Sequence, residues 1–263
     1  MKNKISLMIA LLVASFASNA QLYLGGKVGL NLANVSASGA AVTNVAFNKK
    51  IGINGGATLK YNFTNTLGAQ MDLLYSQMGS NSKQVTETDD GAGGKITMIE
   101  ETLYDLSYLQ IPLFVNFEIP IRTENLIPYR ISESVVSAHL YGGGYFGYAL
   151  GHTATYSAKT TTVDVDNNTT IVLTPKAAIK EDSKHAFNAM DFGLAIGAGF
   201  SFKLSDKGRF TIDGRYLMGM GDFNSNGTYY LVGKVKPSMK NKAPQIQLGY
   251  IHRISRLRRW QIQ

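Results

Sequence analysis

The chain has 263 residues, 26 Lys and Arg against 18 Asp and Glu, and no cysteine. That length suits one large β domain, and the lack of cysteine excludes disulfides and thiol nucleophiles. A formal charge of +8 raises nucleic acid or an anionic membrane as partners, and 27 glycines beside 14 tyrosines and 12 phenylalanines suggest many glycine-kinked, aromatic-flanked strands.

In the first twenty residues, Lys2 and Lys4 precede an apolar run from Ile5 to Ala17, and Ser18-Asn19-Ala20 stands before Gln21. A charged start, a short apolar stretch and a small-x-small end predict a secretory signal peptide over 1–20, cleaved after Ala20. The run is too short to span a bilayer as a helix. No cysteine follows it, so no lipoprotein anchor is expected. Its removal takes two lysines and no acids, leaving 24 cations against 18 acids, or +6. An exported chain gives nucleic acid no role. The remaining basic cluster, Arg253, Arg256, Arg258 and Arg259 beside Trp260, ends the chain, and 256–263 is expected to be a basic tail on the periplasmic side.

No further apolar run reaches 18 residues, so no transmembrane helix is predicted. Eight segments instead alternate with period two, the mark of a strand with one apolar face. In chain order, Leu22, Leu24, Val28, Leu30 and Leu32 oppose Tyr23, Lys27 and Asn31. Ile51, Ile53, Ala57, Leu59, Tyr61 and Phe63 oppose Asn54, Thr58, Lys60 and Asn62. Leu67, Ala69, Met71, Leu73 and Tyr75 oppose Gln70, Asp72 and Ser76. Leu109, Ile111, Leu113, Val115, Phe117 and Ile119 oppose Gln110, Pro112, Asn116 and Glu118. Leu140, Phe146, Tyr148 and Leu150 oppose His139, Tyr141 and Tyr145. Met190, Phe192, Leu194, Ile196, Phe200 and Phe202 oppose Asp191 and a column of small residues. Phe210, Ile212, Tyr216 and Met218 oppose Arg209, Thr211, Asp213 and Arg215. Ile246, Leu248, Tyr250 and Ile254 oppose Gln247 and Arg253.

The connections alternate long and short. The long ones fall around 34–50, 79–103, 151–186 and 221–243; the short ones are NFTNT, a medium turn over 120–137, and LSDKG. Up-and-down strands with every long loop at one end predict an all-β fold, an eight-stranded antiparallel transmembrane β-barrel over 21–255. Which face is inside follows from bulk and charge. The polar face carries Lys27, Lys60, Asp72, Glu118, Asp191, Asp213, Arg215 and Arg253, four cations against four anions, together with many glycines such as Gly25, Gly56, Gly143 and Gly197. A wet exterior would favour long polar side chains. A narrow lumen needs small residues beside a few large charged ones that neutralise each other. The other face is apolar and nearly free of charge, as lipid contact requires. Its aromatics form two groups: Tyr61, Phe63, Phe117, Phe200, Phe202 and Phe210 toward the short turns, and Tyr75, Phe146, Tyr148, Phe192 and Tyr216 toward the long loops.

The stretches LSYLQIPLFVNFEI, LYGGGYFGYAL, DFGLAIGAGFSF, DGRYLMGMGDF and the final QIQLGYIHRI resemble the PorT-like outer-membrane β-barrel proteins of Bacteroidota, in order along the mature chain. The resemblance implies a compact eight-stranded barrel in the outer membrane, and for a minority of such proteins an accessory part in type IX secretion. The last strand is followed by SRLRRWQIQ rather than ending on an aromatic, which places any insertion signal internally, around Gly249, Tyr250 and His252.

Other chemistry finds little support. GGGYFG over 142–147 matches a dinucleotide-binding pattern, but its glycines lie inside an alternating strand rather than before a helix. DVDNNTT over 164–170 begins like a calcium loop, yet Thr169 stands where glycine is needed and Pro175 where glutamate is. The four histidines show no ligand spacing, so no metal, cofactor or catalytic residue is expected. Pro112, in the middle of the fourth strand, predicts a β-bulge or a missing ladder bond. Function is then expected to be non-enzymatic. Outer-membrane lipid surrounds the barrel, and a protein partner is met either at the long surface loops or on the periplasmic side. No oligomeric state is indicated.

Overall fold

The computed structural model describes residues 21–39, 45–91, 93–121, 136–163, 169–179, 188–224 and 238–256. The expected signal peptide, the turn 122–135 and the tail beyond Arg256 lie outside these residues. Among the described residues there are nine antiparallel strands: β1 (Gln21–Ser38), β2 (Val45–Asn62), β3 (Leu67–Asp89), β4 (Lys95–Ile121), β5 (Val136–Val163), β6 (Thr169–Ile179), β7 (Met190–Lys203), β8 (Gly208–Gly219) and β9 (Ser238–Arg256). Eight of them close a ring in the order β1-β2-β3-β4-β5-β7-β8-β9, with β9 returning to β1. β6 stands outside the ring and pairs with the upper part of β5. The expected loop around 151–186 is therefore largely a hairpin, as is that around 79–103.

The short turns are built by local hydrogen bonds. Thr64 Oγ1 accepts from the backbone N–H of Thr66 (3.2 Å) and Leu67 (2.9 Å), and Phe63 N donates to the Leu67 carbonyl at 2.9 Å. Across the barrel, Leu204 N donates to the Gly208 carbonyl at 3.0 Å, while Ser205 Oγ accepts from Gly208 N at 2.8 Å. The distant end of β3–β4 is just as tight: Asp90 caps Gly94 N at 2.8 Å, and Gly91 and Gly93 take φ of 81° and 94°, which only glycine adopts freely.

The period-two faces are placed as the alternation requires. Leu30, Ile53, Leu113, Leu194 and Ile246 are exposed on the outer surface, while Lys27, Asn54, Asp72, Gln110 and Gln247 are buried inside. The inward glycines have a steric reason. A Cβ on Gly25, Gly56, Gly143 or Gly193 would run into a carbonyl oxygen of the neighbouring strand, because strong coiling brings adjacent backbones close on the concave side. Outward glycines are different: a Cβ on Gly142 would find its nearest neighbour 3.9 Å away.

Pro112 points inward and opposes Tyr145 in the part of the β4–β5 ladder that runs unbroken from Tyr108 to Ile121. On the other side, pairing stops between Met71↔Leu113 and Leu74↔Gln110 and resumes in the same register. Glu118 N donates to the Thr66 carbonyl at 2.7 Å, so by the antiparallel alternation Pro112 occupies a position whose N–H should donate to Asp72. The N–H and C=O of one residue face the same neighbour, which is why only the β3 side is broken. The missing ladder bond is found and the bulge is not: the register shift of this strand lies higher, between Ser107 and Tyr108.

Candidate functional site: the lumen and the wall above it

The inward side chains form three ionic groups and two hydrogen-bonded ladders. Arg215, fully buried, donates to Asp72 at 2.8 Å and lies over the rings of Phe114 (5.0 Å) and Tyr141 (5.6 Å). Asp72 also accepts from Thr58 at 2.6 Å and from Gln70 at 2.8 Å. Asp213 is held between Lys27 (3.2 Å) and His139 Nε2 (2.6 Å). Nearer the short turns, Glu118 bridges Lys60 (2.8 Å) and Arg209 (2.6 Å). The two ladders, in which neutral side chains are the donors, lie higher. In one, Gln247 donates to Asn54 (2.6 Å), Asn54 to Asn31 (2.5 Å) and Asn31 to Ser76 (2.9 Å). In the other, Asp191 accepts from Tyr145 at 3.1 Å and from Asn241 at 3.0 Å.

All eight charged residues named from the sequence thus face the interior, but not as four matched pairs. Glu118 takes two cations, Lys60 and Arg209. Asp191 has no ion pair among the described residues. Arg253 donates to the Asp206 carbonyl at 2.7 Å, and its own N–H to the Lys207 carbonyl at 2.8 Å, tying β9 to the turn 204–207. Sequence reasoning left Arg209 and His139 out of the network, although both stand on the inward phase of their strands.

Above these groups the lumen changes character. Val35, Met78, Tyr104, Leu106, Tyr108, Phe223 and Met239 belong to one buried apolar cluster. The segment after β8 closes over it: Phe223 N donates to the Met239 carbonyl at 3.0 Å, Asn188 N to the Phe223 carbonyl at 2.8 Å, and Asp222 accepts from Met239 N at 2.9 Å. This apolar stopper was missed because its residues lie at strand ends or in stretches read as loops.

Of the aromatics named for the outer surface, Tyr75, Phe117, Phe146, Tyr148, Phe192, Phe200 and Tyr216 are exposed. Tyr61, Phe63, Phe202 and Phe210 are half-buried, and the rings of Tyr61 and Phe63 meet edge to face at 5.1 Å. Tyr250 joins them on the outer surface, paired with Phe210.

Beyond the level of Tyr75 and Tyr148, β3, β4 and β5 continue to Asp89, back to Lys95 and on to Val163, and β6 adds a fourth strand. At ~3.3 Å per residue, the fourteen residues from Tyr75 to Asp89 make a wall of roughly 45 Å of strand. Its outer side is polar and cross-linked, with Lys83 paired to Glu101 at 3.7 Å and Lys50 to Asp105, while on the inner face Tyr156 donates to Glu100 at 2.6 Å. Among the described residues, β7 and β8 carry no such extension. Among the described residues, no group of three or more His, Asp or Glu is placed to hold a metal ion.

Solved structures with a similar course of chain include neisserial surface protein A (12% identity, 89% of this chain and 99% of that one, TM-score 0.34). OprG from Pseudomonas aeruginosa (13% identity, 91% and 97%, TM-score 0.42) and the attachment invasion locus protein Ail of Yersinia pestis, in complex with the heparin analogue sucrose octasulfate (14% identity, 89% and 99%, TM-score 0.31), are also similar. No curated protein matches the chain. The family described as outer membrane protein beta-barrel domain matches residues 16–225, most of the chain's length, and the chain belongs to that family.

Proposed function

We propose that this protein is a non-enzymatic barrel of the outer membrane that binds a protein or surface partner through the wall formed by the upper parts of β3, β4, β5 and β6. The observation that carries this reading is the contrast between a filled lumen and a projecting wall. Among the described residues, ion pairs occupy the lower interior and an apolar cluster the upper one, which leaves a solute little room. The wall, by contrast, exposes Val85, Met98, Ile171 and Val172 among polar residues, well away from the band that meets lipid. A projecting sheet that ends its strand order at β6 and carries apolar side chains on both faces suits recognition of a partner by strand addition.

The test is a chain in which residues 155–179 are replaced by a short turn. Binding of intact cells to host or bacterial surfaces, and surface cross-linking to partners, should be lost. The barrel itself should still shift its gel mobility on heating. The PorT-like resemblance implies a different outcome, contacts on the periplasmic side as an accessory of type IX secretion. In that case the replacement would change nothing, whereas trimming residues 257–263 would lose periplasmic partners.

A further inference from the structure

A groove of about 330 Å³ runs across the outer surface of β2, β3, β4 and β5, lined by Leu59, Tyr61, Ala69, Leu113, Val115 and Gly142. We infer that it seats one acyl chain of a phospholipid from the periplasmic leaflet; this rests on the reading of the outer face as the lipid-facing one. Three observations carry the inference. First, the groove is continuous with the exposed apolar band, so what already covers the band must cover it. Second, its floor is made of side chains the barrel does not require to be small. Ala69 stands in register between Tyr61 and Val115, and Val115 is followed by Gly142 on the next strand. A Cβ on inward Gly143 strikes the Leu113 carbonyl, while one on outward Gly142 has 3.9 Å of space. The depression is therefore not a by-product of closing the ring. Third, it sits toward the short-turn end, close to the Tyr61–Phe63 ring pair, where an amphipathic aromatic belongs at the level of lipid head groups.

The volume is near the lower end of ordinary ligand pockets, roughly 300–1,000 Å³. Inside a bilayer there is no hydrophobic gain from leaving water, so retention has to come from packing. A chain lying in the groove touches protein on its floor and both sides, where one on the convex surface touches it on one side only.

The experiment uses the full mature chain, reconstituted in vesicles of phosphatidylethanolamine and phosphatidylglycerol, extracted in mild detergent and weighed by native mass spectrometry. Ala69→Leu and Gly142→Leu fill the groove. Gly214→Leu is the control on the far wall, where an added Cβ also has 3.9 Å of space. The wild type and Gly214→Leu should retain one phospholipid per chain, and the two filling variants should retain it at least about fivefold less often. Equal retention in all four, or none in the wild type, overturns the proposal. A two-chain mass that the filling variants lose would assign the groove to a second copy and also overturn it. If the filling variants fail to fold, a Tyr61→Trp, Trp260→Phe chain extracted in mild detergent from vesicles of brominated phospholipid decides; unquenched emission overturns the seat, and quenching that persists after extraction supports it. Vesicle insertion and the heat-dependent gel shift of the wild type test the lipid-facing reading separately.

Discussion

Along β3 and β4 the hydrophobic pattern inverts between the lower and the upper barrel. Below Tyr75 and Leu109, odd positions are apolar and outside, while even ones such as Asp72, Gln110 and Glu118 are polar and inside. Above that level the same even phase still points inward but has become Met78, Leu106 and Tyr104, and the outward residues are Lys83, Glu101 and Asp105. β1 makes the same exchange on its inward phase, from Asn31 to Val35. The backbone marks the boundary as well: the register shifts between Lys49 and Asn54 and between Ser107 and Tyr108, and Gly79 takes φ of 131° beside the Tyr104 carbonyl. One fold thus has two interiors, and the solvent outside decides which. Where lipid surrounds the ring, polar groups must go inward; where water does, an ordinary apolar core returns.

The largest effect should come from the tight backbone of the lower half. Gly143→Val drives side-chain carbon into the Leu113 carbonyl, and most of the chain should lose its heat-dependent gel shift. The outward neighbour Gly144→Ala, whose Cβ would lie 3.6 Å from the Gly193 carbonyl, should keep it. If both fold alike, coiling is not what selects the inward glycines.

The ionic layer ranks next. Arg215→Met leaves Asp72 buried without its cation, and such losses run to ~3–5 kcal/mol. Urea unfolding in detergent should show a drop of that order. The double change Arg215→Met with Asp72→Leu removes both charges and should recover much of it. In the apolar stopper, Leu106→Ala should cost ~2–4 kcal/mol, felt locally. Hydrogen exchange should speed up above Tyr75 and stay unchanged around Asp72; acceleration in both places would mean that the two interiors are one cooperative unit.

Much of the lower barrel was legible in the sequence. Lipid outside and a charged lumen inside impose a strict alternation, and eight segments displayed it with the correct faces. The charge partners were legible only as a set, because pairing depends on which strands the ring brings opposite each other: Arg209 reaches Glu118 from 91 positions away. The upper barrel was hidden by the inversion itself. Once apolar residues switch from the outward to the inward phase, a membrane-type pattern ends, and stretches such as 79–103 look like loops although their strands continue. Pro112 was half legible, since its missing donor follows from chemistry but the choice of β3 over β5 follows from register.

A pH effect should separate the two interiors further. His152, above the upper aromatics, lies with its ring 5.7 Å from Tyr108, and burial pushes its imidazole down to about 4, from an ordinary value near ~6.5. Between those values the unfolded segment binds a proton that the folded one refuses. Its contribution is therefore intact above about 6.5 and falls as the pH drops toward 4. Protease cleavage of the wall should rise between pH 7 and pH 4.5, and His152→Gln should flatten that rise.

The smallest change is expected where the lower layer is least like itself. Asp191 is as buried as Asp72, at 1% against 0% exposure, but its side-chain donors are the neutral Tyr145 and Asn241. Asp191→Asn keeps an acceptor for Tyr145 and removes a charge that no cation offsets, so stability should stay within ~1 kcal/mol or rise. Asp72→Asn, which leaves Arg215 buried beside a neutral amide, should cost several times more. Equal losses from the two substitutions would mean that Asp191 is balanced by charge reaching it from elsewhere in the lumen, and that ionic pairing is shared across the whole lower layer rather than confined to three local groups.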